Sequence, residues 1–176
     1  MLALFIKAKK KKNQELVEEI ILEHYNQYYR LAYSYVHNED DALDIVQNGA
    51  YKAIKGSHTL HNQEYAKTWV YRVMLNEIFK YAKQPKYISY DAILETDEKG
   101  VGYQEDAYAD IDLQRVLDSL APEEKAIILL RFFEDKKIEE IAELLGENIN
   151  TIKSRLYRCM KKMRITLSED ANQNIV

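Results

Sequence analysis

The segment from Ile138 to Arg164, IEEIAELLGENINTIKSRLYRCMKKMR, constrains this chain more than any other. Ile138, Ile141, Ala142 and Leu145 recur at i, i+3, i+4 and i+7, one apolar stripe on a short helix. Gly146 follows it, and glycine takes the left-handed backbone of a tight interhelical turn without steric cost. A second helix is expected to restart near Asn148 to Thr151, because Asn and Thr oxygens cap the N–H groups that a first turn leaves unpaired. Its faces then divide, with Ile152, Leu156, Cys159, Met160, Met163 and Leu167 inward and Thr151, Ser154, Arg155, Arg158, Lys161 and Lys162 outward. From Thr151 to Leu167 there are six Lys or Arg and no acid, so the outward face suits a polyanion. A helix laid in a DNA major groove fits this pattern. A basic solvated face on an ordinary helical hairpin fits it too, and the segment alone does not separate the two.

The rest of the chain limits the classes available. Five Gly, two Pro and 47% hydrophobic residues over 176 positions, with long helix-period runs, imply an all-α fold of one ordinary domain or two small ones. Cys159 is the only cysteine, which excludes an internal disulfide and a Cys/His metal cluster and suits a reducing, cytoplasmic setting. The opening MLALFI precedes Lys7 and Lys9 to Lys12, the reverse of a secretory signal and too short to span a bilayer. Residues 1–12 therefore read as a frayed basic arm, with weak electrostatic contact to nucleic acid as the other reading. The net charge of −4 is unevenly placed: Gln84 to Asp112 carries eight acids against Lys86 and Lys99, while both ends are basic. Such a chain should bind DNA weakly by itself, because the acidic middle offsets the field of the basic helices.

Taken in order, Asn13 to about Val36 is expected to form an amphipathic helix that packs on Leu16, Val17, Ile20, Ile21, Tyr25, Tyr28, Leu31 and Tyr35, with His37 and Asn38 ending it. Asn38 is a suitable N-cap for DDALDIVQNGAYKAIK, whose small face (Ala42, Val46, Gly49, Ala50, Ala53) would let a neighbouring helix approach. The opposite face gathers Asp41, Asp44, Gln47, Asn48 and Tyr51, by physics alone either solvated surface or a docking patch. Asp41 and Asp44 lack the partners of a metal or catalytic pair, and no nucleophile or phosphate-loop motif lies near them, so no catalytic residue, metal or cofactor is expected. His58 and His61 fall in GSHTLHNQ, which joins two helices. The third helix, about Glu64 to Lys83, places Trp69, Arg72, Asn76, Phe79, Lys80 and Lys83 in one sector, with Val70, Met74, Ile78 and Tyr81 elsewhere. Aromatic rings among cations serve unpaired bases, which stack on the ring while phosphates meet the charges. Trp69 packed beneath a neighbouring helix, its charged neighbours in water, is the bland alternative. Gln84 to Asp112 reads as an irregular acidic linker. Leu113, Val116, Leu117 and Leu120, then Pro122 and the apolar run from Ala126 to Phe133, should build the core of a small C-terminal domain.

Three pieces in this order resemble the RNA polymerase sigma factors of the extracytoplasmic-function group, over nearly all of residues 15–168. They are Asp41-Ala42-Leu43-Asp44-Ile45-Val46-Gln47; Trp69-Val70-Tyr71-Arg72-Val73 with Asn76; and Leu117 with Leu120, Ile141-Ala142-Glu143 and Thr151-Ile152-Lys153-Ser154-Arg155-Leu156 with Arg158. The chain departs from the family pattern at Asn48, at Gly49-Ala50-Tyr51, and at Leu75, Lys80 and Lys83. The resemblance implies a basic arm at 1–12, sigma region 2 at 13–83, an acidic linker at 84–110, sigma region 4 at 111–168 and a tail at 169–176. It implies that Asp41, Asp44, Gln47, Asn48 and Tyr51 dock on the clamp helices of the largest subunit of core RNA polymerase, and that region 4 meets its flap. It places Ser57, His58, His61 and Asn62 of the loop, with Trp69, Arg72, Asn76, Lys80 and Lys83, against the minus-ten promoter strand. It places Asn150, Thr151, Lys153, Ser154, Arg155, Arg158 and Lys162 on the minus-thirty-five element, and threads the acidic linker through the RNA exit path. It implies an anti-sigma factor as partner, often one anchored in a membrane, and no small-molecule substrate. A stand-alone helix-turn-helix regulator and a helical protein-interaction module remain as alternatives. The first would bind duplex tightly without polymerase and would have no use for the Trp69 stripe.

Overall fold

The computed structural model describes residues 2–84 and 113–173, so the acidic linker lies outside the described residues. All regular structure among the described residues is helical. Helix α1 spans Leu2–Val36, α2 Glu39–Gly56 and α3 Ala66–Ala82, the last two joined by 3-10 turns at Ser57–Thr59 and Gln63–Tyr65. After the linker come a short helix α4 over 113–118, α5 Pro122–Phe132, α6 Ile138–Leu145 and α7 Ile149–Gln173.

Local chemistry fixes the boundaries. His37 takes a positive φ of 52° and ends α1, and the Asn38 side chain accepts the Asp41 N–H at 3.0 Å to start α2. Pro122 opens α5, where its missing N–H costs nothing. The Lys137 N–H donates to the Glu140 carboxylate at 2.7 Å, bracing the start of α6. Gly146 has φ 67° and ψ 31°, and the chain reverses there through Gly146 N–H to Glu143 O and Glu147 N–H to Ala142 O. Asn148 then caps α7 by accepting the Asn150 N–H at 2.8 Å.

The N-terminal bundle closes on Val17, Tyr28, Ala42, Val46, Val70, Met74 and Ile78, all buried. Gly49 sets the spacing of α2 and α3: a Cβ there would lie 2.5 Å from the Met74 sulfur. The C-terminal helices close on Val116, Ile127, Leu130, Ile141 and Ile152.

Three expectations need correction. Helix α1 begins at Leu2 rather than near Asn13, so the backbone of the lysine run continues the helix instead of fraying. Lys, Ala and Leu are strong helix formers, and the anchored turns after Asn13 give that propensity something to extend. Met160 is exposed rather than packed, and Leu167 lies outside the described side chains. Phe132 and Phe133, at the end of the expected core run, are also exposed because α5 ends there.

The two helical groups share one continuous hydrophobic cluster, and polar contacts cross their seam. The Tyr35 hydroxyl donates to the Pro122 carbonyl at 2.8 Å. Lys125, 3% exposed, donates to the Ser34 carbonyl and to Asp118 and lies over the Tyr35 ring. Asp118 also accepts from His37 at 3.0 Å. Burial alone would raise the Asp118 carboxyl, but hydrogen bonds from His37 and Lys125 outweigh it and hold it at about 2.

Candidate nucleic-acid and polymerase interface

Three surfaces carry the residues singled out in the sequence. On α2, Ala42, Ile45, Val46, Gly49 and Ala53 turn inward. Asp44, Gln47, Asn48 and Tyr51 are therefore exposed, with Asp41 half-buried beside them. Tyr81 of α3 lies next to this face, and a hydrogen bond to Asp41, helped by partial burial and the Asp44 charge, raises its hydroxyl to about 12. The result is an acidic and amide surface with one large exposed ring.

The second surface is the loop between α2 and α3 with the outer side of α3. A cleft of about 420 Å³ is lined by Leu60, His61, Asn62, Tyr65, Trp69 and Arg72, with Thr59, Thr68 and the C-terminal domain's Glu143 completing it. Trp69 is half-buried, and the edge of its ring lies against Gly56, so one side packs while the rest borders the cleft. The Asn62 side chain caps the turn at Gln63 by accepting the Glu64 N–H at 3.0 Å. Asn76, Lys80 and Lys83 do not join this cleft. They line a second one of about 410 Å³ with Phe79, Glu123, Glu147 and Arg155, at the seam between the two helical groups.

Ser57 is a correction to the expected strand-facing set. It is buried, and its carbonyl accepts the Asn13 side-chain amide at 3.3 Å. His58 is exposed, with its Nδ1 hydrogen donated to the Lys55 carbonyl at 2.8 Å.

Two residues passed over in the sequence organise this surface. Asn13, 1% exposed, donates to the carbonyls of Ser57 and Leu60 and accepts from Gln63 at 3.0 Å, so one side chain ties the loop to α1 at both ends. A buried polar residue on the inner side of an amphipathic helix was the available signal. Glu77, also buried, pairs with Lys52 and, at 3.8 Å, with Lys80. Lys80 is thus matched by a carboxylate one turn earlier.

The third surface is α7. Asn150, Lys153, Ser154, Arg158 and Lys161 are exposed, and Thr151 is half-buried. Arg155 is held by Glu147 at 3.0 Å, and Lys162 donates to the Ser119 carbonyl at 2.8 Å, which fixes α7 on the α4–α5 corner.

In this arrangement the α3 stripe is partly engaged by the C-terminal helices. Arg72 donates from Nε and Nη2 to the Glu143 carbonyl of α6. Lys83 pairs with Glu123 at the start of α5, and although burial would raise the Glu123 carboxyl, that hydrogen bond holds it below its ordinary range. Among the described residues no helix is long and apolar enough to cross a membrane, and no His, Cys, Asp and Glu cluster could hold a metal.

Comparison with known proteins shows the family. The Sigma-70 region 2 family model matches residues 20–86 and the Sigma-70 region 4 model matches residues 110–163. The RNA polymerase sigma factor SigV of Bacillus subtilis (strain 168) is 45% identical over 164 residues, 92% of this chain and 97% of that protein. The ECF RNA polymerase sigma factor SigW of the same organism is 24% identical, over 93% of this chain and 95% of that protein. Two solved structures share the fold. CnrH in complex with the cytosolic domain of CnrY has a TM-score of 0.68 at 17% identity, covering 95% of this chain and 97% of that one. The sigma factor RpoE of Bartonella quintana, in complex with the anti-sigma factor NepR, has a TM-score of 0.61 at 20% identity, covering 86% of this chain and 96% of that one. With both regions matched in order and a relative similar along nearly its whole length, the chain belongs to the extracytoplasmic-function sigma factors of the sigma-70 family, which act in transcription initiation.

Proposed function

We propose that this chain binds core RNA polymerase through the outward face of α2, recognises the minus-thirty-five element through α7, and opens the minus-ten element on the cleft beside Trp69. The division into region 2 at 13–83, linker at 84–110 and region 4 at 111–168 follows from the same reading. The observation that carries it is the cleft of Trp69, Arg72, His61 and Asn62, which offers an indole ring, a guanidinium, an imidazole and an amide in a space of about 420 Å³. A base turned out of a duplex needs a ring to stack on and polar groups for its edge. A duplex-only regulator has no use for such a cleft, and this is what favours the sigma reading over that alternative.

Sigma factors catalyse no reaction, so each surface has only to bind and orient. The polymerase would meet Asp41, Asp44, Gln47, Asn48 and Tyr51, an acidic patch around one exposed aromatic anchor. Promoter bases would meet Asn150, Lys153, Ser154 and Arg158 at the exposed start of α7, the end that enters the groove in helix-turn-helix docking. Arg155 and Lys162 are tied to Glu147 and Ser119 and so would act first as braces of that helix. Engagement of both elements requires Arg72 and Lys83 to leave Glu143 and Glu123. An anti-sigma factor that holds the two groups together would oppose this, and the RpoE and NepR pairing of a structural relative supports such a partner.

Transcription from promoter templates with purified core polymerase, with and without the chain, tests the reading alongside DNA binding by the chain alone. Initiation should need both components, and the chain alone should bind duplex weakly. Tight duplex binding without polymerase, and no initiation with it, would overturn the proposal.

A further inference from the structure

We infer that the lysine-rich start of α1 is a second nucleic-acid contact, taking backbone phosphates of the promoter strand as it leaves the Trp69 cleft. This rests on the reading proposed above. A cleft of about 610 Å³ lies on the far side of the α2–α3 loop, lined by Ala8, Lys9, Lys12, His61, Asn62, Gln63 and Glu64. His61 and Asn62 line this cleft and the Trp69 cleft alike, so the loop is a ridge between a base-stacking side and a lysine-bearing side. A strand stacked on Trp69 and crossing that ridge arrives at Lys9 and Lys12.

The placement is rigid for a physical reason. Lys9 stands one helical turn before Asn13, and Asn13 is bonded to Ser57, Leu60 and Gln63 of the same loop. Helix α1 runs unbroken through the lysines, so Lys9 and Lys12 are fixed relative to His61 instead of trailing in solvent. Charge favours an anion. Five lysines fall between Lys7 and Lys12. Lys11 is engaged by Glu15 at 3.7 Å, while Lys9, Lys10 and Lys12 are exposed and make no ion pair among the described residues. The one carboxylate in the cleft, Glu64, is drawn toward Asn62 at 3.4 Å. A membrane surface would also attract lysines. The convergence of two of them on the loop that carries His61 and Asn62 favours a strand already bound there.

The test uses holoenzyme assembled from core polymerase and the full chain, with a fork-junction promoter fragment whose minus-ten non-template strand is unpaired. Affinity is read by fluorescence anisotropy across a salt series for wild type, the Lys9→Gln/Lys12→Gln pair, the Lys9→Arg/Lys12→Arg pair and Trp69→Ala. Loss of two single-strand phosphate contacts should lower affinity about tenfold near physiological salt and flatten the slope of log K against log salt by about 1.4, while the Arg pair should match wild type. Wild-type affinity and slope in the Gln pair, with Trp69→Ala defective, would overturn this inference and leave the minus-ten reading standing. Normal promoter opening by Trp69→Ala would overturn that reading and this inference with it. If the Gln pair kept its DNA affinity but lost binding to vesicles of phosphatidylglycerol and phosphatidylcholine, the arm would be a membrane contact and the inference wrong.

Discussion

Asn13 faces the interior of a long helix, a position an amide tolerates only with its oxygen and nitrogen both bonded. Replacing it with Ala leaves the Leu60 carbonyl buried and unpaired, a change that costs about 1–3 kcal/mol. Urea denaturation of Asn13→Ala should show that loss, and its promoter opening should fall as well, because the loop is held by the same side chain. Trp69 predicts a different split. Trp69→Ala should keep its affinity for core polymerase, which in the proposal meets α2, and lose about ten- to a hundredfold in promoter opening, the worth of one stacked base. Permanganate reactivity of unpaired thymines in the minus-ten element reads that loss directly.

At the scale of elements, what was legible in the sequence was local. The Asn38 cap, the Gly146 reversal, the outward acids of α2 and the basic face of α7 all follow from spacing within a few turns, and the structure places each where periodicity puts it. What was not legible depends on partners far along the chain. Ser57 looks polar and loop-borne, yet α1 covers it; Met160 fits the apolar stripe of α7, yet it is exposed. The lysine run reads as a frayed arm by charge, yet it continues α1, which Asn13 anchors to the loop. The sorting of α7 carries its own prediction. Arg158→Ala removes an exposed cation from the face proposed to read the promoter and should cost about 1–3 kcal/mol on a minus-thirty-five duplex with little change in stability. Arg155→Ala breaks a 3.0 Å brace to Glu147 and should lower both together. Band-shift titration beside thermal melting separates the two outcomes.

For the molecule as a whole, the seam is the feature that periodicity could not reveal, since it joins residues more than eighty positions apart. Its chemistry is measurable by pH. The Asp118 carboxyl sits at about 2 in the folded chain against an ordinary value of about 3.9, so its ionised form stabilises the seam above that ordinary value. The contribution is lost as pH falls from about 4 toward 2. A urea midpoint that drops through this window in wild type and stays flatter in Asp118→Asn would show the linkage, modest in size because Asp118 is 41% exposed.

The buried ammonium of Lys125 has a consequence for how firmly the two halves hold. A charge taken out of water returns much of its pairing energy as desolvation, so a seam sealed this way fits one geometry and still parts cheaply. Lys125→Met would keep contact with the Tyr35 ring but strip the Ser34 carbonyl and Asp118 of their shared donor, and should produce a loosened catch: a chain that folds but whose two halves part more readily. Energy transfer between dyes on the two halves, read with and without core polymerase, would register the loosening as an enlarged open fraction.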